Sequence, residues 1–186
     1  MPRVFRRYNS TIYGNYRKAY LIDGLLVGIA MSLIMFMRDF LAATPMATPE
    51  NYITELVLLV GIFWATYHYR EQLDDRKVTL KELMLLGLGI GVVSSLVYGL
   101  WTWLNCGCIN TNLVQYYNQQ RIAVMDAADT SAEAKIAIDQ VSRYTAGDWG
   151  FIGGFRSAVM SVIIAFFAAL IFRTEKSPVV PKKERQ

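Results

Sequence analysis

Residues Leu83 to Leu104 read LMLLGLGIGVVSSLVYGLWTWL, a run without a single charge. A hydrocarbon layer about 30 Å thick needs roughly 20 apolar residues in helical form. A helix inside a soluble domain keeps one polar face, and this run has none. It is therefore read as a membrane span. Thr79, followed three residues later by Glu82, forms a capping box, so the helix is expected to start near residue 80.

Three further stretches pass the same test. Ala19 to Met37 carries one charge, Asp23. Tyr52 to Tyr69 carries Glu55 and the single His68. Phe151 to Phe172 carries only Arg156. The first is longer than the apolar core of a signal peptide, and Arg38-Asp39 follows it directly, so it is read as a retained span. Thr48-Pro49-Glu50 supplies an N-cap, a first-position proline and a first-turn acid ahead of the second. The composition agrees. Of 186 residues, 54% are hydrophobic and 18% charged, against about 25% charged in soluble domains. Mean hydropathy is +0.27.

Basic residues set the orientation. Arg3, Arg6, Arg7, Arg17 and Lys18 precede the first span. Arg70, Arg76, Lys77 and Lys81 lie around the second connection. Arg173, Lys176, Lys182, Lys183 and Arg185 follow the last span. The positive-inside rule then places both termini in the cytoplasm of a cell with an inner membrane, and the stretch 105–150 outside it. Trp101, Trp103 and Trp149 fall at the outer boundary, where amphipathic rings settle. The expected fold is all-α: an integral membrane bundle of four transmembrane helices, about 19–37, 52–69, 80–104 and 151–172. An extracytoplasmic helical hairpin joins helices 3 and 4. A basic arm (1–18) and a basic tail (173–186) flank the membrane domain. The arm interleaves Phe5, Tyr8, Tyr13 and Tyr16 with its cations. Next to a membrane, anionic lipid headgroups are its expected partner, and nucleic acid is not.

The outer stretch exceeds a simple connector. Asn112 is read as capping a helix from Leu113 to about Ala127, with Val114, Tyr117, Val124 and Met125 as its apolar face. Thr130 and Glu133 read as a second capping box ahead of Ala132, Ile136, Val141 and Tyr144, with Gly147 as the stop.

Lipid supplies no hydrophobic drive for helix association, so close backbone approach matters. Small residues recur every four positions: Gly24, Gly28 and Ser32; Gly87, Gly91, Ser95 and Gly99; Gly153, Ser157, Ser161, Ala165 and Ala169. Each stripe follows one helix face. It serves packing within the chain, or a seam to a second copy or a partner.

Ionisable groups inside spans are the usual pointers to function. Glu55 falls about three residues inside its span and Arg156 about five, both entered from the outer side, so their depths differ by ~3 Å. The two are expected to pair as a structural ion pair, or to snorkel separately to the interface. Asp23, His68 and Arg70 sit near the inner edge, where Asp23 could meet either of the others. Cys106-Gly107-Cys108 opens the outer stretch. These two thiols are either free or, outside the cell, a strained and reducible pair. One His on the far side of the membrane gives no metal site and no Cys–His nucleophile. Walker, GxSxG and HExxH motifs do not occur, and no cofactor is expected.

From about Lys18 to Phe172 the chain resembles a bacterial membrane family catalogued as domain of unknown function 4199. The resemblance rests on Tyr69-Arg70 and Val78-Thr79-Leu80 leading into Gly87-Leu88-Gly89-Ile90-Gly91, on Tyr98 to Leu104 ending in Ile109-Asn110, and on the closing apolar span with its basic tail. It implies a bacterial inner-membrane protein with an envelope-related partner, and it carries no catalytic residue over. The expected function is a non-catalytic subunit or scaffold that packs with a membrane protein. The alternatives are a small transporter or channel working as a homo-oligomer, and a membrane enzyme using Cys106 and Cys108.

Overall fold

A computed structural model describes residues 16–41, 52–73, 78–128 and 131–174. The arm residues Arg3, Arg6 and Arg7, the Thr48-Pro49-Glu50 cap, Arg76, Lys77, Thr130 and the tail from residue 175 lie outside the described residues, as do the side chains of Arg17 and Lys18. The described chain is all helical: α1 (Tyr16–Leu41), α2 (Tyr52–Glu71), α3 (Leu80–Leu104), a π-helical turn (Asn105–Ile109), α4 (Asn112–Ala128), α5 (Ala132–Ser142) and α6 (Ala146–Phe172).

Three described segments are long and apolar enough to cross a bilayer: 19–38, 80–109 and 146–172. α2 has 20 residues, but Glu55, His68, Arg70 and three tyrosines dilute its aliphatic run. It nevertheless stands in the bundle between α1 and α6, and touches α3 across the middle. α3 makes the most extensive contacts, first with α6 and then with α1. α4 and α5 form a hairpin that caps one end.

The distribution of side chains is inverted relative to a soluble protein. Leu26, Leu33, Leu96, Leu100, Phe151, Phe155 and Phe167 are exposed, whereas Thr66, Ser94, Ser95, Thr102, Ser157 and Ser161 are buried. Water does not tolerate so continuous an apolar surface on a monomer, and a bilayer does. The buried hydroxyls turn back on their own helices. Thr66 donates to the Ile62 carbonyl at 2.7 Å, Thr102 to Tyr98 at 3.0 Å and Ser161 to Ala158 at 2.7 Å. Small polar residues thus line the seams with these hydroxyls satisfied on their own helices, while the Ser95 hydroxyl is buried there without a hydrogen-bond partner.

The seams explain the glycines. Along α3 and α6, Gly87 faces Ala165, Gly91 faces Ser161, and Gly99 lies against Gly150 and Gly154. A Cβ on Gly99 would stand 2.9 Å from the Gly150 carbonyl oxygen and 3.2 Å from the Gly154 Cα. On the other side of α3, Gly24 of the parallel helix α1 meets Val93, and Gly28 meets Ser94 and Val97. Within this chain the stripes of α3 and α6 face each other.

The helix ends carry three corrections. α6 starts at Ala146, five residues ahead of the expected 151, because Asp148 accepts the Thr145 N–H at 2.7 Å and caps it. Gly147, read as a stop, sits in the first turn of α6. α5 ends instead at Ser142, where the Arg143 N–H returns to the Gln140 carbonyl at 3.1 Å. The cap of α5 is Ser131, whose hydroxyl accepts the Ala134 N–H at 3.1 Å, not Thr130. Thr79 and Glu82 do cap α3 reciprocally, at 2.9 and 3.2 Å. α3 then runs on through the π-helical turn, closed by the Asn110 N–H on the Asn105 carbonyl at 2.7 Å. At the opposite end of the bundle, Val78 and Thr174 exchange two hydrogen bonds, of 2.9 and 3.2 Å. These tie the start of α3 to the end of α6.

Candidate functional site

Ionisable and polar groups gather at three levels of the bundle. The first is near the capped end. Glu55 lies in the first turn of α2, where a carboxylate complements the helix dipole. Arg156 approaches from α6, and its Nε donates to Glu55 Oε1 at 2.7 Å. The Glu55 side chain is 14% exposed and that of Arg156 33%, so the pair is largely withdrawn from the surroundings. Ser157, next to Arg156, and Gly153 are both buried, Gly153 beneath the Tyr98 ring.

The second level is the cap itself, built on a small core of Cys106, Leu113, Tyr117 and Trp149. Trp149 is fully buried, which corrects its assignment to the lipid boundary; of the three expected interfacial rings, Trp103 is the exposed one. Burial obliges the indole N–H to find a partner. It donates to Asn118 Oδ1 at 2.8 Å, and Asn118 Nδ2 donates to the Tyr144 carbonyl at 3.1 Å. The Tyr117 and Tyr144 rings flank Trp149 at 5.5 and 5.9 Å. Arg38, at the end of α1, donates to the Tyr117 hydroxyl at 3.4 Å. Helices α1, α4 and α6 and the α5–α6 connection thus meet around Tyr117 and Trp149.

The inward face of the cap differs from the expected one. On α4, Tyr117 is buried but Val124 is exposed. On α5, Val141 is buried, with Ala134, Ala137 and Ile138 half-buried, whereas Ile136 is exposed. No disulfide joins Cys106 and Cys108. Cys106 is packed into the cap core and Cys108 is exposed, so the π-helical turn separates them.

The third level is the end opposite the cap. Arg70 pairs with Glu71 at 2.8 Å, and its guanidinium stacks over Tyr67 and Phe172 at 5.3 and 5.6 Å. His68 bonds Gln72 through Nδ1 at 2.6 Å and meets the Trp64 ring at 5.2 Å. Asp23, on α1, is 6% exposed. It lines a groove of about 480 Å³ between α1 and α2, together with Trp64. A second groove of about 440 Å³ runs between α3 and α6, past Ser95 and Gly99, with no ionisable group in its lining. Among the described residues no three His, Cys, Asp or Glu gather as metal ligands.

The sequence reading missed Arg38, Asn118 and the interior role of Trp149. One signal was present. Asn118 follows Tyr117 on the apolar side of α4, where an amide needs a buried partner.

Residues 23–174 match the family described as "Protein of unknown function (DUF4199)". No curated protein and no solved structure matches the chain.

Proposed function

The chain belongs to the DUF4199 family, and from that premise we propose that it is a non-catalytic subunit or scaffold of the bacterial inner membrane that presents its helical cap to an envelope protein. In this reading α1, α2, α3 and α6 all span, both termini lie in the cytoplasm, and the α4–α5 hairpin stands outside. The position of α2 between α1 and α6 supports a fourth span despite its lower apolarity. The basic residues of the arm, the second connection and the tail support the orientation. The arm at residues 1–18 binds anionic headgroups at ~1 kcal/mol per basic residue.

The observation that carries the reading is the construction of the cap. Its base is held by Trp149 and Asn118, while Val124 and Ile136 toward its free end are 62% and 63% exposed. A rigid base under exposed apolar residues is the form of a docking element. The test is extraction of the tagged chain from its native membrane in mild detergent, followed by native mass spectrometry. A stoichiometric second protein, lost on Val124→Asp with Ile136→Asp, supports the reading. A monomer that is indifferent to both substitutions sinks it.

A further inference from the structure

We propose that the groove between α3 and α6 binds a lipid-soluble quinone, whose ring carbonyl accepts a hydrogen bond from Ser95. The groove holds about 440 Å³, within the range of small-molecule sites, roughly 300–1,000 Å³. It follows α3 from Val92 to Trp103, a length of ~17 Å. A helix of a second copy, ~10 Å across, would need roughly 1,300 Å³ over that length. The groove therefore admits a slender molecule and not a helix.

Ser95 is the residue that calls for a ligand. It lines the groove and is 4% exposed, and its hydroxyl has no hydrogen-bond partner. Thr66, Thr102 and Ser161 return theirs to their own helices. The acceptor four residues behind Ser95 is the Gly91 carbonyl, and the neighbouring Ser94 donates to it at 3.1 Å. Surrounding hydrocarbon offers no replacement. Trp103 lies eight residues further along α3, so Ser95 stands ~12 Å deeper, near the middle of a layer about 30 Å thick. The ester oxygens of ordinary phospholipids stay at the edges of that layer. The acceptor has to arrive on a molecule that carries oxygen into the hydrocarbon.

The rest of the lining narrows the class. Phe151 and Phe155 stand nearly parallel, at 15° with ring centroids 5.7 Å apart, and are 70% and 61% exposed. They offer a preset surface for stacking. Gly99, Gly150 and Gly154 also line the groove, and a flat ring can approach the backbone closely where no side chain intervenes. A charged ligand finds no counter-ion, because the lining has no ionisable group. A flat, uncharged ring that carries carbonyl oxygens and an apolar tail is a membrane-soluble quinone. The inference concerns binding alone. It goes beyond the subunit reading and depends only on insertion in a membrane.

The test uses the full chain in nanodiscs of neutral phospholipid, with decylubiquinone as the probe and empty nanodiscs as the blank. Equilibrium partitioning is expected to show a saturable component above the blank. Decylbenzene, which keeps a ring and the tail but lacks the oxygens, is expected to displace it poorly. Ser95→Ala is expected to weaken binding about fivefold, the value of one hydrogen bond. The same substitution should not lower the melting temperature without ligand, because it removes a buried hydroxyl that has no partner. Ala158→Phe fills the inner end of the groove with Ser95 intact and is expected to abolish binding. Unchanged affinity or a lowered melting temperature in Ser95→Ala, equal displacement by decylbenzene, or no component above the blank overturns the site. A partner protein found without quinone binding sinks this site and leaves the subunit reading standing. Quinone binding by a monomer indifferent to the cap substitutions does the reverse.

Discussion

Arg156 on α6 and Glu55 on α2, 101 positions apart in sequence, meet through a 2.7 Å hydrogen bond from Nε to Oε1. The bond fastens the most polar of the four long helices to one of the most apolar. Removing Arg156 leaves the Glu55 carboxylate uncompensated in a mostly buried setting, and removing Glu55 takes from Arg156 its carboxylate partner. Complete burial makes that loss ~3–5 kcal/mol, and the 33% exposure of Arg156 lowers the expectation to ~1–3 kcal/mol. Glu55→Gln and Arg156→Gln should each lower the unfolding midpoint in detergent. The exchange Glu55→Arg with Arg156→Glu should recover part of it. An exchange no better than either single reversal would falsify a stabilising pair.

The seam between α3 and α6 should be sensitive to a single methyl group. A Cβ on Gly91 lands on the Ser161 side chain, and overpacking of this kind costs ~1–3 kcal/mol. Gly91→Ala should therefore destabilise, and adding Ser161→Gly should restore much of the loss. Gly107→Ala is the control, because its nearest neighbour, the Ala146 Cβ, lies 3.4 Å away. Thermal unfolding of the three variants beside the parent protein checks the order.

Asn118→Leu should loosen the cap while sparing the bundle. It leaves the buried Trp149 N–H without its acceptor, a cost of ~1–3 kcal/mol. The expected readout is faster amide exchange in α4 and α5, with α3 and the lower half of α6 unchanged. Trp149→Phe removes the donor and fits the same space, so it should cost less than Trp149→Ala. Uniform exchange throughout the chain in Asn118→Leu would show that cap and bundle unfold as one unit.

The two cysteines should react at different rates. A membrane-impermeant maleimide is expected to label Cys108 in the folded protein and to reach Cys106 only after unfolding, since one is exposed and the other is packed in the cap core. In intact cells, once the outer envelope is made permeable, labelling of Cys108 also reports which side of the membrane the cap occupies. Protection of Cys108 until lysis would reverse the proposed orientation.

The long helices were legible because their signal is bulk hydropathy, which needs no knowledge of neighbours. The Glu55–Arg156 contact was legible as a matter of depth, since rise per residue converts sequence offset to height. What escaped was tertiary. Trp149 at a span boundary reads like any interfacial indole. Only the arrival of Tyr117 and Asn118 from α4 turns it into the centre of a core. Gly147 reads as a break because glycine ends helices. The Thr145 N–H bonded to Asp148 overrides it. On α5, Ile136 and Val141 belong to one apolar series in the sequence, but Val141 is buried and Ile136 is exposed. The glycine stripes left two uses open, and periodicity alone cannot say which neighbour a small residue admits.

α6 is held near both extremities: at Trp149 by its bond to Asn118 of the cap, and at Thr174 by its bonds to Val78. Its 27 residues make a rod ~40 Å long, without a proline to hinge it. A push or pull on the cap is therefore not absorbed along its length. It arrives at the start of α3, at the opposite end of the bundle, as the tilt of a single stiff lever.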